Sequence, residues 1–153
     1  MSEQSPAIPG EVETQFTHSP HDPDWFLQTL IEIVNKSNAS FGLTLNLGGI
    51  LVSGDLIGGK HYFDGFGQEF ASSLSSDPET VKQVHASFAS HSVLYVNGDG
   101  IYKDSLDPPN FIHLKDARFF HTSGQPIPAN RGVWWRGRLA EVGGFSLGKL
   151  SSG

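Results

Sequence analysis

The segment FGLTLNLGGILVSGDLI, residues 41–57, constrains the fold more than any other part of this chain. Phe41, Leu43, Leu45 and Leu47 fall on every second position, with Thr44 and Asn46 between them. A period of two is that of a strand with one apolar and one polar face. Gly48-Gly49 follows. Glycine adopts positive φ at little cost, as a two-residue hairpin turn demands. Residues 50–57 then return as a second strand, with Gly54 marking a bend or bulge. The chain therefore contains a β-hairpin whose leucine face must be covered by something else.

Two helical regions flank it. Asp22-Pro23-Asp24 has the form of a helix start: Asp22 is placed to cap free N–H groups, Pro23 to occupy the first helical position, and Asp24 to favour the positive end of the dipole. Trp25 or Phe26, Leu30, Ile33 and Val34 then recur at helical spacing, and Asn35, Ser37, Asn38 and Ser40 close the helix. After the hairpin, Tyr62, Phe66, Phe70 and Leu74 form a stripe at intervals of four, which matches the buried face of a helix. Asp77-Pro78-Glu79 opens another, continued by Val81, Val84 and Phe88 to about Ser90. Residues 91–110 predict a mobile linker or a small hairpin across Asn97-Gly98-Asp99-Gly100. Three strands complete the chain at 111–120, 133–140 and 145–150.

Helices and strands are segregated, so the class is α+β with a mostly antiparallel sheet. Short strands and many glycines suit a small, highly bent sheet or an Sm/SH3-like barrel of about five strands. The N-terminal helix precedes it and the helical insertion follows the first hairpin. An open sheet covered by helices on one side is the alternative. Residues 1–20 hold three prolines and many polar residues and are expected to be a mobile tail, with residues 21–153 as a single domain.

Composition narrows the function. Eleven phenylalanines are too many rings for a disordered chain. No cysteine is present, which removes disulfides and thiolate chemistry and fits a reducing compartment. No signal peptide and no spanning apolar run are recognisable, so the expectation is a soluble, cytoplasmic protein without a membrane partner. A net charge of −6, from 16 acidic and 10 basic residues, argues against a nucleic-acid partner.

Catalytic and metal chemistry find little support. His61, His85, His91, His113 and His121 lie on different elements, without H-x-x-x-H or H-E-x-x-H spacing. Ser53, Asp55 and His61 offer the residue types of a hydrolase triad but no nucleophile elbow. Gly58-Gly59-Lys60 lacks the spacing of a phosphate loop. The expectation is a non-enzymatic chain with no cofactor and no metal. In the strand at 133–140, alternation puts Trp134, Arg136 and Arg138 on one face and Val133, Trp135 and Leu139 on the other. The first set is the candidate partner-binding site if only the second is buried. Helices covering both tryptophans is the competing reading.

FIHLKDA (111–117), WRGRLAEVGGFSLGKL (135–150) and LTLNLGGILVSGDLI (43–57) resemble the gas vesicle accessory protein U family, GvpU. The resemblance covers about residues 25–90 and 110–150, and its most specific part is W-R-G-x-x-A-E-V-x-G-F-x-L-G-K. KHYFDGF (60–66) fits the K-x-Y-F-D region of the family. Gly143 stands where the family pattern has Asp in an Asp-Gly turn, residues 92–110 differ from its polar linker, and the tail is particular to this chain. The resemblance implies a non-enzymatic accessory protein that assists gas vesicle assembly, organisation or clustering. Its implied partners are the vesicle shell, other accessory proteins or further copies of itself, in the cytoplasm at gas vesicles. Two other classes compete. An Sm-like nucleic-acid-binding module would show steeply salt-dependent binding. A small metal-dependent hydrolase would show metal on elemental analysis.

Overall fold

The structure is a computed structural model and describes residues 22–121 and 124–151. The expected tail at 1–20 lies outside the described residues. Helix α1 (Trp25–Asn35) is capped by Asp24, whose Oδ1 accepts from the Phe26 N–H at 2.9 Å. Pro23 therefore precedes the helix, and Asp24 takes the capping role that the sequence assigns to Asp22. The buried stripe is Leu27, Ile31 and Val34, whereas Ile33 is 51% exposed. WFLQTLIEIV carries two apolar stripes about one residue apart on the helix, and the sheet beneath selects the second.

Strand β1 (Phe41–Leu47) pairs with β2 (Ile50–Ile57) through the expected two-residue turn. Both turn glycines have positive φ, 60° at Gly48 and 96° at Gly49. Helices α2 (Gly59–Leu74) and α3 (Pro78–Ala89) follow as a helical hairpin, with Asp77 capping α3 through the Thr80 N–H. The remaining strands are β3 (Phe111–Phe120), β4 (Val133–Arg138) and β5 (Gly144–Leu147).

The sheet is antiparallel, in the order β4-β3-β2-β1-β5. β4 and β5 are opposite edges and do not pair, so the sheet is open and the barrel expectation is corrected. Closure would need long, strongly staggered edge strands to meet, and β5 has only four residues. Helices cover the faces instead, and they cover both rather than one. On the first face, α1 packs on a core that includes Leu43, Leu45, Val52, Leu56, Ile112, Leu114 and Ala117. On the second, α2 sets Tyr62 against His113, ring centroids 4.6 Å apart.

Three local departures have clear causes. Ser53 faces Arg118 and Asp55 faces Lys115, so the extra residue of the bulge belongs to β3, at Asp116 with φ 50°. Gly54 sits opposite, where a Cβ would press on the Lys115 carbonyl and Ala117. Next, β4 stops at Arg138, because residues 139–141 turn as a 3-10 helix that buries Leu139. Finally, β5 ends at Leu147. Gly148, at φ 101°, leads residues 148–150 across the second face.

That crossing explains why Thr44 and Ser53 are buried although alternation points them away from the leucine core. Their hydroxyls lie 3.0 Å apart, Thr44 Oγ1 donates to the Gly148 carbonyl at 2.8 Å, and the Leu150 N–H donates to Ser53 Oγ at 2.7 Å. Lys149 reaches Asp116 at 2.7 Å and Asp55 at 3.2 Å. Each charge favours the other, the Asp116 carboxyl held low and the Lys149 ammonium high, first through their shared hydrogen bond. In residues 91–110 the small hairpin shrinks to one bridge, Val96 to Tyr102. Ser90–Leu94 is a 3-10 turn.

Candidate protein-binding surface

β4 forms one edge of the sheet, and its register brings Arg136 opposite His113 and Arg138 opposite Phe111. Trp134, Arg136 and Arg138 do share the second face, while Val133 and Trp135 pack against the core on the first. The second face is occupied, however. Trp134 is half-buried because α2 crosses over it: its ring sits where a Cβ on Gly65 would be, and it meets His61 edge-on at 5.9 Å. Glycine at position 65 is what allows this approach. Replacing it with Val should displace the indole and cost about 1–3 kcal/mol, as overpacking does. Tryptophan fluorescence together with a urea titration would detect both effects. An unchanged midpoint would show that Trp134 moves aside freely.

Arg136 is held from three sides. Its guanidinium lies 3.9 Å from the centre of the Phe111 ring and 5.5 Å from that of Phe63. Its Nη1 donates to His113 Nε2 at 3.3 Å. That bond leaves the proton of the neutral imidazole on Nδ1. His113 is buried, and burial first, then the adjacent guanidinium, push its pKa down to about 3. Burial also raises the Tyr62 phenol and, with Lys115, lowers His61. Among the described residues no carboxylate pairs with Arg136 or Arg138. Arg131, by contrast, pairs with Glu69 of α2 at 3.1 Å.

Two concavities open beside β4. One, of about 220 Å³, is lined by Phe66, Phe70, Val133 and Trp134, with Glu69 and Ser73 at its polar side. The other, of about 310 Å³, holds Arg136 with Phe63, Tyr95 and Phe111. Sequence reasoning missed the contribution of α2. The Tyr62–Phe66–Phe70–Leu74 stripe reads as core, yet only Tyr62 is buried, and Phe70 and Leu74 are 42% and 61% exposed. The stripe runs past the edge of the sheet it packs on. Its rings associate with one another and with Phe88 of α3 instead.

The suggested triad residues have other engagements. Ser53 is bonded to Thr44 and to the Leu150 amide, Asp55 is paired with Lys149, and His61 packs on Trp134. His85 pairs with Asp64 at 2.8 Å, tying α3 to α2. Among the described residues no three His, Asp or Glu side chains converge on a metal position, and no helix is long and apolar enough to cross a membrane. The arrangement offers packed aromatic rings, an open strand edge and guanidinium groups, which is the chemistry of protein contact.

The family described as gas vesicle protein GvpU-like matches residues 24–150. The chain belongs to the GvpU-like family. As a GvpU-like chain it is a gas vesicle-related protein, and this family is not a known enzyme family. Among the described residues, the matched span includes every strand of the sheet, the three α-helices and both concavities of the GvpU-like fold. No curated protein and no solved structure matches the chain.

Proposed function

We propose that this chain is a non-enzymatic accessory protein that organises gas vesicles, acting through protein contacts in their assembly or clustering rather than as bulk shell. The observation that carries this reading is the family match over residues 24–150. The half-buried aromatic surface beside β4 and the guanidiniums of Arg136 and Arg138, which no carboxylate of the described residues pairs, support it, because aromatic and arginine side chains dominate protein-contact energetics. On this reading the protein works in the cytoplasm at gas vesicles. Its partners are the shell, another accessory protein or a further copy of itself, and Trp134, Arg136 and Arg138 lie at the contact. No cofactor is required.

Deleting the protein is expected to leave vesicle shells able to form while changing their number, shape or grouping. Electron microscopy of a deletion strain checks this. Vesicles unchanged in all three respects would count decisively against the role.

A further inference from the structure

We propose that the outer edge of β4 receives an extended segment of a protein partner as a sixth strand, reading an apolar residue and, two positions away, an acidic one. This rests on the proposed role as a protein-contact module and names the chemistry of its partner.

β4 has six residues, and among the described residues it pairs only with β3. Its outward N–H and C=O groups are a template for another strand. Side chains at i and i+2 of a strand share a face and lie about 6–7 Å apart. Trp134 and Arg136 have that relation, and each lines a different concavity. A segment paired with β4 would present its own alternate side chains opposite these two positions, at the short range of cross-strand neighbours. The first would enter the pocket of Phe66, Phe70, Val133 and Trp134. The second would meet the guanidinium of Arg136.

Charge selects what that second residue is. Arg136 is held in place by Phe111, Phe63 and His113, none of which neutralises it. Asp107 lines the same concavity but makes no ion pair with it. Arg138, which no carboxylate of the described residues pairs, adds a second positive charge two residues further along the same face. A guanidinium held in advance loses little freedom when it binds a carboxylate, and two donors in a fixed fork suit that group. A second copy of the chain is the poorer fit, since antiparallel pairing of β4 with itself would bring these arginines toward their own counterparts.

The test pans a displayed library of random short peptides against the full chain. Selected peptides are then remade synthetically and their affinities measured by fluorescence polarisation. The expected result is enrichment of an apolar residue two positions from Asp or Glu. Binding should weaken about tenfold or more with Arg136→Glu, with Phe70→Glu, or with backbone N-methylation of alternate peptide residues. Changing the peptide's acidic residue to Arg should restore binding to Arg136→Glu. Phe70 is already exposed, so Phe70→Glu keeps the test decisive if Arg136→Glu fails to fold by circular dichroism. The idea is overturned by any of three results: no enriched pattern, peptides indifferent to both substitutions, or peptides indifferent to N-methylation. A chain that sediments as a dimer and is dissociated by the peptides would assign the edge to a second copy and also overturn it. No vesicles enter this assay, so its outcome is independent of the deletion phenotype.

Discussion

Leu45→Ala is expected to lower the free energy of unfolding by about 2–5 kcal/mol, as truncation of a fully buried leucine does. Leu45 has no exposed surface and lies in the core cluster with Leu27, Ile31 and Val34 of α1. It is flanked in the sheet by Val52 of β2 and Phe145 of β5, so neighbours on both sides hold the vacated space open. The urea midpoint should fall with little change in slope. The neighbouring position gives the comparison. Alternation alone makes Thr44→Ala nearly silent, but the Thr44 hydroxyl joins Ser53 Oγ to the Gly148 carbonyl under the crossing segment. Its loss should cost about 1–3 kcal/mol, the penalty for a buried partner left unsatisfied. If Thr44→Ala proves silent, residues 148–150 do not hold the second face. If it exceeds Leu45→Ala, the leucine face is not the principal core.

Acid should unfold this protein through His113. In the unfolded chain its imidazole takes a proton near pH 6.5, whereas in the fold it resists until about pH 3. Between those values the unfolded state binds the extra proton, so stability falls as the pH falls and levels off below about 3. The slope from this one group is about 1.4 kcal/mol per pH unit once the unfolded ring is fully titrated. Two features produce it: burial against Tyr62 and Phe63, and Arg136, whose N–H needs a neutral acceptor. Asp116 and Asp77, whose carboxyls the fold holds low, add losses only below the ordinary carboxylate range. The interval from pH 6.5 to 4.5 therefore lies above those carboxylate losses and reports on His113. Urea titrations across that interval, with the His113 ring followed by NMR, check the prediction. A ring that titrates near 6.5 in the folded protein would show that the α2–sheet interface admits water.

Much of the architecture is legible in the residues because short-range chemistry dictates it. The Gly48-Gly49 hairpin and the Asp77-Pro78 helix start depend on turn and capping preferences that act within a few residues. The open sheet is not legible in that way. Whether edges meet depends on strand length and on helices packing from both sides, and both are settled between elements far apart in sequence. The same reason hides the buried stripe of α1, where WFLQTLIEIV offers two faces and only the sheet chooses between them.

The candidate surface divides similarly. That Trp134, Arg136 and Arg138 share a face follows from alternation in β4. That the face is shared with α2 does not, because the close approach at Gly65 joins residues from two elements. An aromatic stripe at helical spacing also carries no mark of where its partner sheet ends. Phe66 and Phe70 therefore pass for core until β4 is seen to be the edge.

The position of β5 bears on how the chain is made. β1 lies inside the finished sheet, yet its second neighbour is about a hundred residues away, Leu43 pairing with Leu147. During synthesis the hairpin forms early, and β1 waits with one side bare until nearly all of the domain has been translated. Closing so long a loop adds entropy cost to the last pairing and slows it. A bare, leucine-rich strand is an aggregation template for that whole interval. The fold thus depends on holding its newest chains apart until β5 arrives, and expression at a slower, cooler rate should recover more of it.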